Sequence, residues 1–198
     1  CNDQANFRLI ARAYEFASLK HAGQHRKSGR PFLQHCVEVA RLLAQLRLDD
    51  TAIAAGLLHD VIEDTETTHE DISKHFGRKI ADLIEGVTKI DQFTYESREE
   101  RQAETYRKML LSMVKDIRVI LIKLVDRLHN MRTLEHLAED RRIRIALETR
   151  EIYAPIAHRL GMAAIRWELE DLAFKFLEPA EYRELTKKIK RSRKERER

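Results

Sequence analysis

The stretch AIAAGLLHDVIEDT, residues 52–65, decides the fold because an apolar run leads directly into a cluster of ionisable side chains. His59 and Asp60 end the apolar run, and Glu63 and Asp64 follow one turn later. Burying charged groups is unfavourable unless they are paired or bound to a metal ion. The stretch therefore predicts a buried segment that carries a polar site at its carboxyl end.

The composition of the chain favours helices joined by short turns. The 198 residues are enough for one domain or one domain plus an extension, and the hydrophobic share of 43% suffices for a core. Glycine (6) and proline (3) are scarce, and the sequence has neither an alternating strand pattern nor an internal repeat. We therefore predict an all-α, bundle-like architecture.

The formal charge of +4 comes from one end of the chain. Residues 187–198 carry eight Lys or Arg and two Glu, so the rest has 29 basic and 31 acidic residues. This distribution argues against nucleic-acid binding by the main body, and we expect the tail to be a linker helix rather than an RNA-binding segment.

The sequence does not indicate a membrane protein or a secreted protein. No apolar run approaches the roughly 20 residues that cross a bilayer, and no secretory signal is present. The two cysteines, Cys1 and Cys36, give no disulfide framework, so we expect a reducing cytoplasm as the location.

Apolar residues recur at helical spacing along most of the chain. They predict helices over residues 6–22, 31–47, 51–60, 68–77, 78–88, 104–114, 117–131, 140–158 and 160–179, followed by a charged helix or frayed tail. Pro31 favours a helix start, and Asp49 or Asp50 can cap the third helix. Gly77 can close a helix. Residues 89–103 are charged and weakly periodic, which predicts a mobile loop.

His35 lies on an apolar helical stripe with Phe32, Val39 and Leu42, and this stripe faces a core. A lone histidine in such a place is more often a satisfied core residue than a metal ligand, so both interpretations stay open for His35 on its own.

His59 has small residues, Ala52, Ala55 and Gly56, on its side of the helix, and these let a neighbouring helix approach closely. Asp60 is adjacent in sequence, so the two side chains can reach one point only beyond the end of the helix or near its edge. Alone, this doublet is a weak signal.

Asp126 interrupts the apolar run IRVILIKLV of a predicted helix. A solitary buried carboxylate would tend to take up a proton. The purely structural alternative to a metal-ligand role for Asp126 is an ion pair with Lys123, Arg127 or Arg132.

Together, His35, His59, Asp60 and Asp126 supply two imidazoles and two carboxylates from three predicted helices. Such a donor set suits Mn, Fe, Zn or Mg-type divalent ions. A bound ion would neutralise the carboxylates and remove the burial penalty of every group at once.

Glu63 lies four residues after His59 and so projects towards the same side of the helix. It could orient or deprotonate a water molecule at the site. Asp64 could cap the turn, hydrogen-bond a ligand or act together with Glu63.

The spacing of His35, His59, Asp60 and Asp126 resembles the H…HD…D pattern of the HD metal-dependent phosphohydrolases. The sequence around these residues is a more specific signal. Over nearly the whole chain it resembles the hydrolase domain of the Rel/SpoT family of bifunctional alarmone synthetase/hydrolases. The matching stretches are HRKSGRPFLQH, AAGLLHDVIEDT, FGRKIADLIEGVTKI, KLVDRLHNMRTL and EIYAPIAHRLGMAAIRWELEDLAFKFLEP.

The resemblance implies an HD-domain helical bundle that removes pyrophosphate from the 3′ position of guanosine tetra- and pentaphosphate, usually with Mn²⁺. It implies that His35, His59, Asp60 and Asp126 bind the metal. By the same resemblance, Glu63 and Asp64 are the acidic pair beside the attacking water, and the substrate contacts are Arg26, Lys27, Ser28, Asn130 and Thr133. The last two also share the helical stripe of Asp126, which supports their assignment independently.

The resemblance also implies a domain organisation. We predict a hydrolase domain over residues 1–158 and a helical extension over 159–198 that leads towards a synthetase domain and regulatory domains. The chain stops after KKIKRSRKERER and contains no synthetase motif, so we expect an excised N-terminal domain without alarmone synthesis.

Three other functions compete with this one. A different HD phosphohydrolase, such as a 5′-nucleotidase or a deoxynucleoside triphosphate hydrolase, is disfavoured by the HRKSG loop. A non-catalytic nucleotide sensor is disfavoured by the intact Glu63 and Asp64. RNA binding would rest on the tail alone.

Overall fold

The computed structural model describes residues 6–91 and 98–196, and the chain divides into two compact units, Cys1–His129 and Asn130–Arg198. Helices account for most of the described residues, and the isolated β-bridge found among them pairs His25 with Pro31. The predicted all-α architecture is confirmed.

The first unit is organised around a buried helix, α3. Its eight helices, the last of which runs on past the unit boundary, are α1 (Phe7–Lys20), α2 (Phe32–Gln45), α3 (Asp50–Leu58), α4 (Val61–Asp64), α5 (His69–Phe76), α6 (Arg78–Asp91), α7 (Arg98–Lys115) and α8 (Ile117–Arg132). Helix α3 packs against α1, α2 and α6, and its residues from Ala54 to Leu58 are all buried. A helix that is apolar on every side belongs in a core, as the opening stretch predicts.

Side-chain caps fix where these helices begin and end. The Asp49 carboxylate accepts a hydrogen bond from the Ala52 amide at 3.0 Å, so Asp49 rather than Asp50 caps α3. Thr68 and Asp71 form a reciprocal capping box at the start of α5. Gly77 ends α5 with a φ of 88°, a conformation that glycine adopts without strain.

Gly56 allows α2 and α3 to approach closely. A Cβ atom at Gly56 would collide with Leu43, and it would lie 3.5 Å from Val39 Cγ1 and 3.7 Å from Ala40 Cα. This confirms that the small residues beside His59 admit a neighbouring helix. That neighbour is α2, which carries His35.

Helix α3 ends at Leu58, two residues earlier than the predicted helix 51–60. His59 is its C-cap residue, and Asp60 precedes the short helix α4. The ring of His59 explains the break, because its Nδ1 donates to the Gly56 carbonyl at 2.9 Å and satisfies a terminal acceptor of α3. The turn that results lets the adjacent side chains of His59 and Asp60 reach the same point.

The described residues of the predicted loop 89–103 are helical. Helix α6 continues to Asp91 and α7 begins at Arg98, while residues 92–97 lie outside the described residues. Apolar periodicity is weak here, but Glu, Arg, Gln and Ala all favour a helix. An ion pair of 2.8 Å between Glu85 and Lys89, one turn apart, supports the end of α6.

The elements of the second unit are a 3₁₀ turn (Leu134–His136), α9 (Glu139–Glu148), a π-helical turn (Thr149–Tyr153), α10 (Ala154–Arg159), α11 (Ala163–Leu177) and α12 (Pro179–Arg196). In this unit, α9, the π-helical turn, α10 and α12 contact α11. The predicted helix 140–158 is therefore interrupted by the π turn. Pro155 gives the reason, since it has no N–H to donate and is tolerated in the first turn of a new helix.

The predicted boundary between residues 158 and 159 falls inside this second unit and stays a prediction. The predicted terminal helix runs to Arg196, and residues 1–5 and 197–198 lie outside the described residues. Every helix in the described parts of the chain is too short or too polar to span a bilayer.

Candidate metal centre

Four side chains of the first unit meet at one buried point. The Nε2 atoms of His35 and His59 lie 3.2 Å apart. Asp126 Oδ1 lies 3.2 Å from the Nε2 of His35 and 3.7 Å from that of His59. Asp60 Oδ2 lies 3.4 Å and 3.1 Å from the same two nitrogens. The structure therefore brings together the four residues that the sequence predicts as ligands, from α2, the α3–α4 turn and α8.

These distances fit a divalent ion. Metal–ligand bonds of about 2.0–2.2 Å place neighbouring ligand atoms roughly 3.0–3.5 Å apart, and the observed separations of these donors lie in or near that range. His35, His59 and Asp126 each offer one ligand atom, and these three atoms lie within 4.8 Å of one another. Because His59 donates through Nδ1 to Gly56, its neutral ring presents an Nε2 lone pair to the cluster.

The groups behind the ligand atoms hold those atoms in place. A ligating histidine usually donates its second ring N–H to a fixed acceptor, and the Gly56 carbonyl plays that part for His59. His35 Nδ1 lies 2.7 Å from His129 Nδ1. Lys123 Nζ donates to Asp126 Oδ2 at 3.1 Å, which leaves Oδ1 turned towards the imidazoles.

Lys123 resolves the alternative that the sequence left open for Asp126. Among the three basic candidates, buried Lys123 forms an ion pair with it at 3.1 Å, and Arg132 pairs at two points with Glu168 at 2.5 and 2.7 Å. The ion pair and the ligand position coexist because they use different oxygens of Asp126.

The electrostatic environment of this cluster favours the ionised form of its two carboxyl groups. Burial works to raise the pKa of Asp126, but Lys123 and then the two imidazoles hold it well below its usual range. Burial likewise opposes ionisation of Asp60, whose pKa is lowered by His59 and His35. In the absence of an ion, the carboxylates raise the pKa of His59 although its burial works the other way. The cluster is thus negatively biased and attracts positive charge.

The predicted acidic pair lies on α4, the short helix that follows Asp60. Glu63 and Asp64 are exposed, and the Asp64 carbonyl accepts a hydrogen bond from Gln24 Nε2 at 3.0 Å. Although part of Asp64 reaches the surface, desolvation of its carboxyl raises its pKa, and the charge of Asp60 adds to this. A carboxyl that keeps its proton to higher pH is suited to proton transfer.

The HRKSG turn points one of its three predicted substrate residues at the cluster. Arg26 Nη1 lies 3.2 Å from His129 Nδ1, and its guanidinium carbon lies 5.8 Å from the Phe32 ring centre. The turn is closed by a hydrogen bond of 2.9 Å from the Arg26 amide to the Arg30 carbonyl. Lys27 is exposed and Ser28 half-buried in the same turn, and their roles stay predictions.

The two remaining predicted substrate residues belong to the second unit. Asn130 is half-buried in the last turn of α8, and the Thr133 hydroxyl donates to its carbonyl at 3.3 Å. They follow Asp126 by four and seven residues, and their roles also stay predictions.

His129 is the residue that sequence reasoning underrated. From the sequence alone, its position three residues after Asp126 predicts no more than a supporting role beside that residue. The fold shows that it contacts both His35 and Arg26. Burial, and then the charges of His35 and Arg26, lower its pKa to about 4, so the ring is neutral at ordinary pH. Cys36, next to His35, is buried as expected, and burial raises its pKa to about 11.

Comparison with known proteins identifies the class of this fold and site. The family model of the HD domain matches residues 13–163, so the chain belongs to the HD domain family. Hydrolases of this family are metal-dependent, which agrees with a site that could hold an ion.

Similar proteins narrow this class further. A GTP pyrophosphokinase from Myxococcus xanthus is 50% identical over 192 residues, which are 96% of this chain and 25% of that relative. A guanosine-3′,5′-bis(diphosphate) 3′-pyrophosphohydrolase from Vibrio cholerae serotype O1 is 53% identical over 184 residues, 93% of this chain and 26% of that relative. The chain thus spans about a quarter of the length of the curated relatives it matches.

A solved structure of similar size completes the comparison. It is described as a metazoan orthologue of SpoT that hydrolyses ppGpp and plays a role in starvation responses. It is 26% identical to this chain, with a TM-score of 0.64, and the match covers 84% of this chain and 94% of that one. The resemblance to Rel/SpoT proteins predicted from the sequence is confirmed.

Proposed function

We propose that this chain hydrolyses guanosine 3′,5′-bis(diphosphate) and its pentaphosphate analogue to GDP or GTP and pyrophosphate, with Mn²⁺ as its ion. The observation that carries this proposal is the buried meeting point of the His35, His59, Asp60 and Asp126 donor atoms. The substrate is inferred from the relatives. The metazoan orthologue is described as hydrolysing ppGpp, and this chain covers 94% of it.

The four converging residues would hold the ion. When bound, a divalent ion neutralises charge on phosphoryl oxygens and lowers the pKa of water. Mn²⁺ accepts mixed imidazole and carboxylate ligands, and the family resemblance favours it over Fe, Zn and Mg.

Glu63 and Asp64 would move the protons. In the hydrolysis, a water oxygen forms a bond to the phosphorus that is attached to the ribose 3′ oxygen. The bond between that phosphorus and the 3′ oxygen breaks. The water must lose a proton, and the 3′ oxygen must gain one. We assign the first transfer to Glu63, one turn after His59. Asp64, with its raised pKa, is suited to supply the second proton.

The basic turn would bind the substrate. Arg26 can stack its planar guanidinium on the guanine or pair with a phosphate, while Lys27 and Ser28 supply a point charge and a hydroxyl donor. We keep Asn130 and Thr133 as further substrate contacts because they follow Asp126 at helical spacing.

We further propose that this stretch of chain does not synthesise alarmones. The pyrophosphokinase name belongs to a relative about four times as long, so that activity can reside in another part of the relative. The partners we propose are the alarmone and the remaining domains of a longer protein, in the cytoplasm, without nucleic acid or membrane.

Product analysis tests this function. Guanosine tetraphosphate with Mn²⁺ should give GDP and pyrophosphate in equal amounts, and a chelator should stop the reaction. Guanosine 5′-triphosphate and deoxyguanosine triphosphate are the matched substrates without a 3′ pyrophosphate, and they should remain intact. Release of orthophosphate, or equal turnover of deoxyguanosine triphosphate, would assign the site to another phosphohydrolase. Incubation of GTP with ATP should yield no tetra- or pentaphosphate.

A further inference from the structure

Three side chains from separate elements of the first unit form a connected chain of contacts that ends at the metal centre. Arg26 comes from the HRKSG turn, His35 from α2 and His129 from α8. Arg26 Nη1 lies 3.2 Å from His129 Nδ1, and the same Nδ1 lies 2.7 Å from His35 Nδ1. The other ring nitrogen of His35 is the one that faces His59 and the two carboxylates.

The direction of these hydrogen bonds follows from one fact of chemistry. An arginine guanidinium donates hydrogen bonds and has no acceptor. The atom that receives its hydrogen bond, His129 Nδ1, must therefore carry a lone pair and no proton. The contact of 2.7 Å between the two Nδ1 atoms then requires that His35 is the donor.

This assignment places a proton on His35 Nδ1. A neutral imidazole with its proton on Nδ1 presents a lone pair at Nε2, and Nε2 is the atom that points into the cluster. The opposite tautomer would turn an N–H towards the ion and prevent ligation.

We propose that His129 is a positioning residue, which uses its Nδ1 acceptor to hold His35 in the metal-binding tautomer and joins the Arg26 turn to the metal centre. This inference rests on the proposed function, because it presupposes that His35 binds an ion. It assigns to His129 no contact with the substrate or with the ion. The Gly56 carbonyl accepts a hydrogen bond from the second ring nitrogen of His59, and the His129 side chain plays the same part for His35.

The joint contact on His129 Nδ1 also has a consequence for substrate binding. Arg26 and His35 approach the same lone pair, so a substrate that draws Arg26 away leaves that lone pair to His35 alone. The His35 hydrogen bond should then strengthen, and binding of substrate and of ion should favour each other.

The protonation of His129 can be observed directly. In the full chain labelled with ¹⁵N-histidine and free of metal, long-range ¹H–¹⁵N correlations at pH 7.5 report which nitrogen of each ring carries a proton. The signals of His129 are identified by their loss in His129→Phe. A His129 ring protonated only at Nε2 is expected. A proton on His129 Nδ1, in either a neutral or a charged ring, would overturn the proposal without any variant having to fold well.

Three substitutions of His129 separate an acceptor role from a structural one. In His129→Asn the side-chain oxygen stands near the position of Nδ1, so an acceptor is kept. In His129→Phe the ring shape is kept without an acceptor. In His129→Gln the oxygen lies one bond further out. His136→Phe, at an exposed histidine of the second unit, is the matched control.

Mn²⁺ affinity, measured by titration calorimetry with Mn²⁺ alone, is the main readout. We expect His129→Phe to weaken Mn²⁺ binding by about 10- to 100-fold, the range for lost partners of ligating histidines. His129→Asn should recover most of this loss and His129→Gln less, while His136→Phe should bind like the unaltered chain. Unchanged affinity in His129→Phe, or an equal loss in His129→Asn and His129→Phe, would overturn the acceptor role.

The same titration separates a failure of this inference from a failure of the proposed function. If the unaltered chain bound no Mn²⁺, the metal centre itself would be wrong. If it bound Mn²⁺ and lost binding in His59→Ala but not in His129→Phe, only the role of His129 would be wrong.

Discussion

Two clusters of histidine and carboxylate side chains in the described parts of the first unit could hold a metal ion, and they differ in almost every other respect. The first contains His35, His59 and Asp126, all buried. The second contains His69, Asp82 and Glu85 on α5 and α6, where His69 Nε2 lies 3.0 Å from Asp82 Oδ1. The Asp82 and Glu85 side chains are 54% and 41% exposed, so water can solvate both.

The difference indicates which arrangement of acidic groups favours a bound ion. On the surface, water and neighbouring cations suffice: Arg78 lies 3.7 Å from Asp82, and Lys89 lies 2.8 Å from Glu85. Such exposed pairs contribute little to stability. In the buried cluster Lys123 pairs with Asp126, and the Nε2 atoms of two histidines face each other at 3.2 Å. A bound divalent cation would neutralise the carboxylates and accept the lone pairs of both imidazoles.

The strongest test of this contrast removes a ligand from the buried cluster. His59→Ala should abolish bound Mn²⁺ and turnover together, because the remaining donors no longer surround the ion. Elemental analysis of the dialysed protein and product formation from guanosine tetraphosphate measure the two effects. A variant that lost turnover but kept a full equivalent of tightly bound Mn²⁺ would contradict the ligand assignment.

The second-largest expected effect distinguishes residues that bind the ion from residues that transfer protons. Glu63→Gln keeps the size and polarity of this exposed side chain but removes its basicity. We expect kcat to fall by roughly a hundredfold or more while Mn²⁺ content stays intact. Single-turnover rates measure the chemical step, and Glu66→Gln, at an exposed glutamate just after α4, is the matched control. Normal turnover in Glu63→Gln would end its assignment as the proton acceptor.

A smaller effect is expected at the edge of the centre. Arg26→Ala removes a charged donor from the substrate but leaves the His129 acceptor available to His35. KM for guanosine tetraphosphate should rise about tenfold, as expected for loss of one charge-assisted hydrogen bond, while Mn²⁺ affinity should stay the same or increase because His35 then has the His129 acceptor to itself. Steady-state kinetics with saturating Mn²⁺ measure this, and Arg30→Ala at the other end of the turn is the control. An unchanged KM would exclude Arg26 from substrate binding.

The sequence was sufficient wherever local chemistry decides the structure. Asp49 and Gly77 mark helix ends because capping depends on a few neighbouring atoms, and both marks are confirmed. The convergence of His35 with Asp126 was predicted from apolar stripes, each of which turns a polar side chain towards the same core. Capping chemistry gives the helix ends, and helical periodicity together with the combined donor set gives the convergence.

Features that depend on three-dimensional neighbours were not predictable in the same way. The sequence offered three cations for Asp126, and only the fold shows that buried Lys123 contacts it. It suggested no more than a supporting role for His129, since the partners His35 and Arg26 lie 94 and 103 residues away in sequence. The π turn at Thr149–Tyr153 depends on how the chain accommodates Pro155, which periodicity does not register.

The smallest expected effect concerns the exposed cluster and is the sharpest check on the comparison. His69→Ala and Asp82→Asn should leave Mn²⁺ stoichiometry and turnover unchanged and should alter the free energy of unfolding by no more than about 0.5 kcal/mol. Mn²⁺ at a hundred times its dissociation constant should stabilise the unaltered chain by about 2.7 kcal/mol, since the ion binds only the folded state. Thermal unfolding with and without Mn²⁺ should show this gain in both surface variants and not in His59→Ala. If instead the gain disappeared in His69→Ala and survived in His59→Ala, the ion would reside at the surface, and burial would not be what makes a site of these side chains.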